Sequence, residues 1–182
     1  MIILLCGPSG SGKTTLLSQI AVQTSAKIIE VTVCRAIPRK FQETGKREVD
    51  REEFEELKSN FQYLNHYDGA DYGYSILDTD FFSPHYTFLD YPGEYPTCPE
   101  LKDHNWRGML VLPPNRAVLI DRLIHQNKSE RIPSALSEYD EILDELRCGK
   151  YAKPQWFIFY SHACQMILSL IADISSTRLF AN

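Results

Sequence analysis

The chain has 182 residues, a length that suits one compact domain. It is 43% hydrophobic and 24% charged, which leaves ample apolar surface for a core. A net charge of −5 excludes broad attraction to nucleic acid or to an acidic membrane surface. No apolar run approaches the roughly 20 residues that span a bilayer. The opening MIILLCG is too short, and lacks the basic flank, for a secretory signal. The five cysteines (Cys6, Cys34, Cys98, Cys148 and Cys164) have no metal-ligand spacing and read as reduced thiols of a cytoplasmic protein.

Residues 1–6 form a short apolar strand, and 13–24 place Leu16, Leu17, Ile20 and Ala21 on one helical face. The run 27–33 (KIIEVTV) is β-branched and predicts one strand. Residues 34–50 are basic and polar, with Pro38 and Gly45, and read as loop or irregular hairpin. DREEFEELKSN (50–60) predicts a helix with Asp50 as N-cap. Residues 61–80 show no clear period. HYTFLD (85–90) and RGMLVL (107–112) read as strands, with Pro-dense 91–100 between them. A helix is expected at 115–126 with Asn115 at its start, then a polar connection over 127–134. Another helix covers 135–149 and ends at Gly149 in a C′ position. The strand 155–161 and the helix 162–174 close the chain. Strands alternating with helices predict a parallel sheet covered by helices, with 34–80 as an insertion on it.

GPSGSGKT (7–14) satisfies GxxxxGK[ST] between a strand and a helix. Glycines let backbone N–H groups converge on phosphate oxygens, and the helix adds its positive end. Ser9, Gly10, Ser11, Gly12, Lys13, Thr14 and Thr15 are therefore the expected ATP-binding residues. Lys13 reaches the β- and γ-phosphates, and the Thr14 hydroxyl can ligate Mg²⁺. The acid that completes such a site normally ends a neighbouring apolar strand, and Asp90, closing TFLD, is best placed.

In the order and spacing of its blocks the chain resembles the guanylate kinase family of nucleoside monophosphate kinases. The blocks are GPSGSGKTTL, VTVCRAIPR, DREEFEEL, the Tyr-Gly of GADYGYS, FLD and MLVLPPNRAVLIDRL, and the similarity covers residues 1 to about 174. The resemblance implies an α/β, three-layer P-loop kinase fold in a single domain over 1–182. It also implies an acceptor-binding insertion at about 34–80 and a lid at about 125–135. Arg35 and Arg39 match the arginines that grip the acceptor's phosphate, and Tyr72 matches the tyrosine that assists them. Ser75 or Tyr74 falls at a base-reading hydroxyl, and Asp90 at the catalytic acid. Arg131 is the main surviving lid arginine. Departures accompany these matches. Tyr63 stands where the family has a guanine-reading glutamate, and Lys46 and Arg47 where it has an acceptor tyrosine. Pro92 replaces a second acid, and Ala135 a lid arginine.

Three functions compete on these residues. The first is an ATP- and Mg²⁺-dependent kinase, monomer or homodimer, of a small phosphorylated acceptor. That acceptor is a nucleoside monophosphate such as GMP or, given Lys46 and Arg47, a sugar phosphate such as ribose bisphosphate; a solvated loop face is the plainer account of those two cations. The second is a GTP switch, from DYPG (90–93) and NKSE (127–130), although NKSE follows a helical pattern and ends in Glu. The third is a binding module without turnover.

Overall fold

The structure, a computed structural model, describes residues 1–39, 42–67, 69–76, 86–91, 106–153 and 156–161. Its centre is a five-stranded sheet in the order β2 (Lys27–Ile28), β7 (Thr87–Asp90), β1 (Ile2–Cys6), β8 (Trp106–Leu112), β9 (Trp156–Tyr160), with every pairing parallel. All five residues of β1 are buried, as a central parallel strand with both faces covered requires.

Alternation along the strands sorts the core into two layers. Ile3 and Leu5 of β1, Phe88 of β7 and Met109 and Val111 of β8 pack against Leu16, Leu17 and Ile20 of α1 (Lys13–Gln23). Ile2, Leu4, Cys6, Leu110 and Leu112 turn the other way. They join Leu119 and Leu123 of one helix and Ala135, Tyr139 and Ile142 of the next. Helices thus cover both faces of a parallel sheet. This is a P-loop NTPase-like fold: the alternating pattern predicted the covered parallel sheet, and the resemblance its class.

A second, four-stranded sheet carries most of the stretch 31–74. Its order is β4 (Lys46–Val49), β3 (Val31–Arg35), β6 (Ala70–Tyr74), β5 (Tyr63–Tyr67). β3 runs parallel to β4 and antiparallel to β6, which forms a hairpin with β5. Val31, Val33, Tyr72 and Tyr74 join the same core cluster as Ile2 and Leu4, so this sheet packs directly on the central one. The short helix α2 (Arg51–Leu57) seals it by burying Phe54 against Cys34 and Val49.

Several sequence expectations change here. The run 27–33 is two strands in two sheets, because Ile29 N–H donates to Phe88 in the central sheet whereas Val31 N–H donates to Gly45 in the second. Residues 46–49 and 61–74 hold strands where loop and aperiodic chain were expected. The polar connection is shorter than expected, since the last helix described, α4 (Ile132–Arg147), starts with Pro133 in its first turn, where the missing N–H costs nothing. The preceding helix, α3 (Arg116–His125), is capped by Asn115, whose side chain accepts from Val118 N–H at 3.0 Å. Asp50 caps α2 in the same way, accepting from Glu53 N–H at 2.9 Å. Gly149 follows α4 at φ 76°, the left-handed conformation that favours glycine. The expected helix at 162–174 lies outside the described residues. No helix among the described residues is long and apolar enough to cross a membrane.

Candidate functional site

Leu5 stands between Asp90 on one side and Met109 on the other, so β1 delivers the loop of residues 7–12 to the C-terminal edge of the sheet beside Asp90. Parallel α/β sheets bind ligands at that edge. The loop's backbone admits few side chains. At Gly7, φ is 132° and a Cβ would lie 2.1 Å from the Val111 carbonyl oxygen. At Gly10, φ is 77° and a Cβ would meet Leu119 at 2.9 Å. Glycine at these two positions is therefore a packing requirement as well as a route to phosphate.

Lys13 opens α1 and folds back over the loop, donating to the carbonyls of Gly7 at 2.5 Å and Pro8 at 3.1 Å. Burial lowers its pKa, and the charges of Asp90 and Glu138 oppose that shift. A carboxylate of α4 also reaches the loop: Glu138 accepts from Ser9 N–H at 3.1 Å.

These groups line a cleft of about 550 Å³. All seven expected ATP-binding residues, Ser9 to Thr15, line it. So do Asp90, Arg39, Tyr72 and Arg131, brought from β7, the β3–β4 connection, β6 and the short helical turn 129–131 before α4. Among the described residues, five cationic side chains (Lys13, Arg39, Lys46, Lys128 and Arg131) and three carboxylates (Glu43, Asp90 and Glu138) line it. A chain of net charge −5 thus concentrates positive charge in this cleft, the condition for binding a polyanion.

The cations expected to grip an acceptor are held by acids. Arg35 lies 3.2 Å from Glu43 and 3.2 Å from Glu48. Arg39 pairs with Glu43 through its guanidinium, and its backbone N–H donates to Glu48 at 3.2 Å. Arg35 lines an adjoining pocket of about 290 Å³ and not the main cleft, whereas Arg39 lines both. Lys46 contacts Asp90 at 2.8 Å and Glu43 at 3.6 Å. Arg47, by contrast, is half exposed and pairs with Glu53 on α2. These two neighbouring cations therefore separate: Lys46 belongs to the cleft and Arg47 to the surface. Burial pushes the pKa of Asp90 up, but the nearby Lys46 and Lys13 outweigh it and hold the carboxyl below its ordinary value.

Ser75 is not brought to the cleft. Its hydroxyl donates to the Asn60 carbonyl at 3.2 Å, while the neighbouring Tyr74 lines the cavity. Strand alternation explains the difference, since adjacent residues point to opposite faces. Tyr63 lies within an aromatic cluster, stacked on Tyr91 at 5.7 Å between ring centres and tilted against Tyr74 at 5.5 Å. Ala135 is fully buried in the core, so this position packs and does not face the cleft. Asn127 and Lys128 line the cleft but follow helix α3, not a strand, and Gly93 of DYPG lies outside the described residues.

Two site groups escaped the sequence reading of roles. Glu138 is one. The other is Arg122, from the Arg-Leu pair of α3, which donates to Ser11 O at 2.9 Å, to Ser161 Oγ at 2.8 Å and to Ser161 O at 2.6 Å. Ser161 Oγ donates to the same Ser11 carbonyl at 2.5 Å. The peptide is planar and trans, so pinning Ser11 C=O on this side turns Gly12 N–H to the other. No short-range pattern announces either contact, since both join residues more than a hundred positions apart.

The oxygens suit magnesium. Among the described residues no three His, Cys, Asp or Glu side chains cluster as a metal cage. Thr14 and Asp90 do line one cleft, and Mg²⁺ characteristically takes one or two protein oxygens together with phosphate and water.

A family model described as "ATPase family associated with various cellular activities (AAA)" matches residues 3–61. No curated protein matches the chain. Among solved structures, the guanylate kinase from Anaplasma phagocytophilum is similar with a TM-score of 0.64 at 16% identity. The match covers 98% of this chain and 86% of that one. At such identity the likeness shows the fold. With the loop geometry and the family-model match, this chain is a P-loop nucleotide-binding domain with structural similarity to a guanylate kinase.

Proposed function

We propose that the chain is an ATP-dependent phosphotransferase that passes the γ-phosphoryl group to a small phosphorylated acceptor, a GMP-like nucleoside monophosphate in the first instance. One observation carries the reading. The phosphate loop and the arginine pair Arg35 and Arg39 adjoin across Lys46, which touches Asp90 on the donor side and Glu43 on the acceptor side. A nucleotide-binding module needs the first group of residues; a two-substrate kinase needs both. The similarity to a guanylate kinase fold supports the same choice.

The chemistry asks little of side chains as acids or bases. An acceptor phosphate carries its second charge above pH ~6, so its oxygen attacks γ-phosphorus without a base. A new P–O bond forms in line as the bond to the leaving ADP oxygen breaks. Catalysis is then positioning and charge neutralisation. The loop N–H groups and Lys13 hold the donor's phosphates; Arg39, Arg35 and Tyr72 hold the acceptor's; Arg131 and Lys128 approach from the lid side. The Thr14 hydroxyl and Asp90 would hold Mg²⁺, which would supply charge neutralisation at the donor's phosphates.

A second acceptor class has its own support. Tyr63 is committed to an aromatic stack and brings no carboxylate to a guanine edge, while Lys46 adds a cation to the cleft. Both features favour a phosphorylated sugar such as a ribose bisphosphate over a purine monophosphate. The test is coupled ADP release with Mg²⁺ and ATP, screened over nucleoside monophosphates and sugar phosphates. The expected result is turnover above the hydrolysis background with at least one acceptor. If ATP binds and no acceptor raises turnover, the kinase reading falls and the binding module stands.

A further inference from the structure

We infer that Lys46 is a tethered switching cation: it competes with the divalent ion for Asp90 and, when displaced, serves the phosphates in the cleft. This rests on the phosphotransferase reading above.

The root of the side chain is fixed. Lys46 opens β4 opposite Val31; its N–H donates to the Glu43 carbonyl at 3.0 Å, and the preceding Gly45 carbonyl accepts from Val31 N–H at 2.9 Å. The tip is not built into the backbone. An ammonium on a flexible four-carbon stem has three donors and can exchange partners at little cost. Here one partner is Asp90 Oδ2 at 2.8 Å and the second is Glu43 Oε2 at 3.6 Å. The side chain is 14% exposed and Asp90 9%, so water screens this pair weakly.

The three cleft carboxylates are committed unequally. Glu43 is shared with Arg35 and Arg39, and Glu138 accepts from the phosphate loop. Asp90 is held at short range by Lys46, and it ends the strand beside β1, next to the phosphate loop. A divalent ion on Asp90 and an ammonium at hydrogen-bond distance from the same carboxylate repel each other strongly. Lys46 therefore neutralises Asp90 in the ligand-free cleft and yields it when metal and nucleotide enter together. An acceptor phosphate near Arg39 offers more charge than the Glu43 carboxylate. The released ammonium, still tethered between donor and acceptor sides, then lies among phosphate oxygens. That adds positive charge to a cleft in which Arg131 is the surviving arginine and Ala135 is buried in the core.

The test is calorimetric titration of Mg²⁺ into the protein with saturating non-hydrolysable β,γ-imido ATP, for the wild type, Lys46→Met and Lys46→Gln. The Gln variant keeps a hydrogen-bond donor near Asp90 while removing charge, so it serves if Lys46→Met does not fold. Competition predicts a Mg²⁺ midpoint about tenfold lower in the folded variants, the size of an ordinary coupling between two sites. The rate with the best acceptor should fall at saturating Mg²⁺. A midpoint that is unchanged or raised overturns the proposal. A wild type that binds the nucleotide with no Mg²⁺ dependence overturns the phosphotransferase reading with it, whereas Mg²⁺ dependence that is identical in all three proteins overturns the role of Lys46 alone.

Discussion

The proposed donor and acceptor sides of the cleft are built from different materials. The donor side is backbone: a loop forced into shape by glycines at Gly7 and Gly10, where a Cβ would collide with Val111 and Leu119. The acceptor side is side chains: Arg35, Arg39 and Lys46 held in place by Glu43, Glu48 and Asp90. A backbone cradle recognises phosphate in one geometry and has little freedom to drift. A cluster of ion pairs can change its ligand by exchanging one member. The contrast fits a protein that retains a nucleotide loop while its second substrate diverges.

The sharpest way to break this contrast is Lys13→Ala. It removes the one side-chain charge of the loop, and turnover with any acceptor should fall by about 10²–10³-fold, the usual cost of losing a preorganised phosphate partner. An unchanged steady-state rate would mean that the loop does not handle the transferring group. Next in size is Arg35→Ala, which strips the acceptor side alone. Losing a charge-assisted contact should weaken the acceptor by about 10–100-fold, read as KM, with ATP affinity nearly constant. Equal losses for both substrates would dissolve the division into two sides.

Arg122→Met sharpens the donor side from beneath. The guanidinium and Ser161 together pin the Ser11 carbonyl. Releasing half of that grip should weaken ATP by about tenfold, measured by calorimetry, and leave the acceptor's KM unmoved. Arg122→Lys keeps the charge but loses the two-point grip, so it should not rescue. Recovery by lysine would assign the effect to charge and not to positioning.

The two sides also differed in how far they could be read from residues. GPSGSGKT and its strand–helix context announced the loop, because a backbone cradle needs glycine at fixed spacing and spacing is local. Asp90 followed from its place at the end of an apolar strand. The second sheet did not follow. KIIEVTV has one continuous β pattern, and its division at Ile29 is set by Phe88 and Gly45, which are distant in sequence. YLNHY of β5 alternates in burial, yet its inward set includes Asn65, so the apolar period is broken. Lys46 looked like solvated loop because its partner Asp90 lies on another strand. Arg35 and Arg39 were legible as a pair through resemblance, but their carboxylate partners were not. Ser75 and Tyr74 stayed an open choice until strand direction put Tyr74 in the cleft. What resisted reading was in each case a long-range ion pair or a sheet partner, which no local pattern encodes.

The smallest expected effect tests the charge shared by the whole cleft. The Lys128 ammonium is pushed down to about 8, by burial first and then by Arg39, Arg131, Lys46 and Arg35. Its ordinary value is 10.5, so between about pH 8 and 10.5 the unfolded chain binds a proton here that the folded protein does not. Stability from this group therefore rises with pH through that window, and the burden of the buried charge is present in full below it. Ligand binding has the opposite sign. An entering polyanion favours the charged ammonium and draws its pKa back up, so binding near pH 8 takes up a proton. Affinity for β,γ-imido ATP should then fall by about two- to fivefold from pH 7 to pH 9, a modest change because Lys128 is one of five cations in the cleft. Calorimetry in buffers of different ionisation enthalpy measures both the affinity and the proton uptake. Lys128→Met should flatten the profile and abolish the uptake. A profile that keeps its slope in the variant would move the titration to another group and show that the lid-side lysine does not sense the donor's charge.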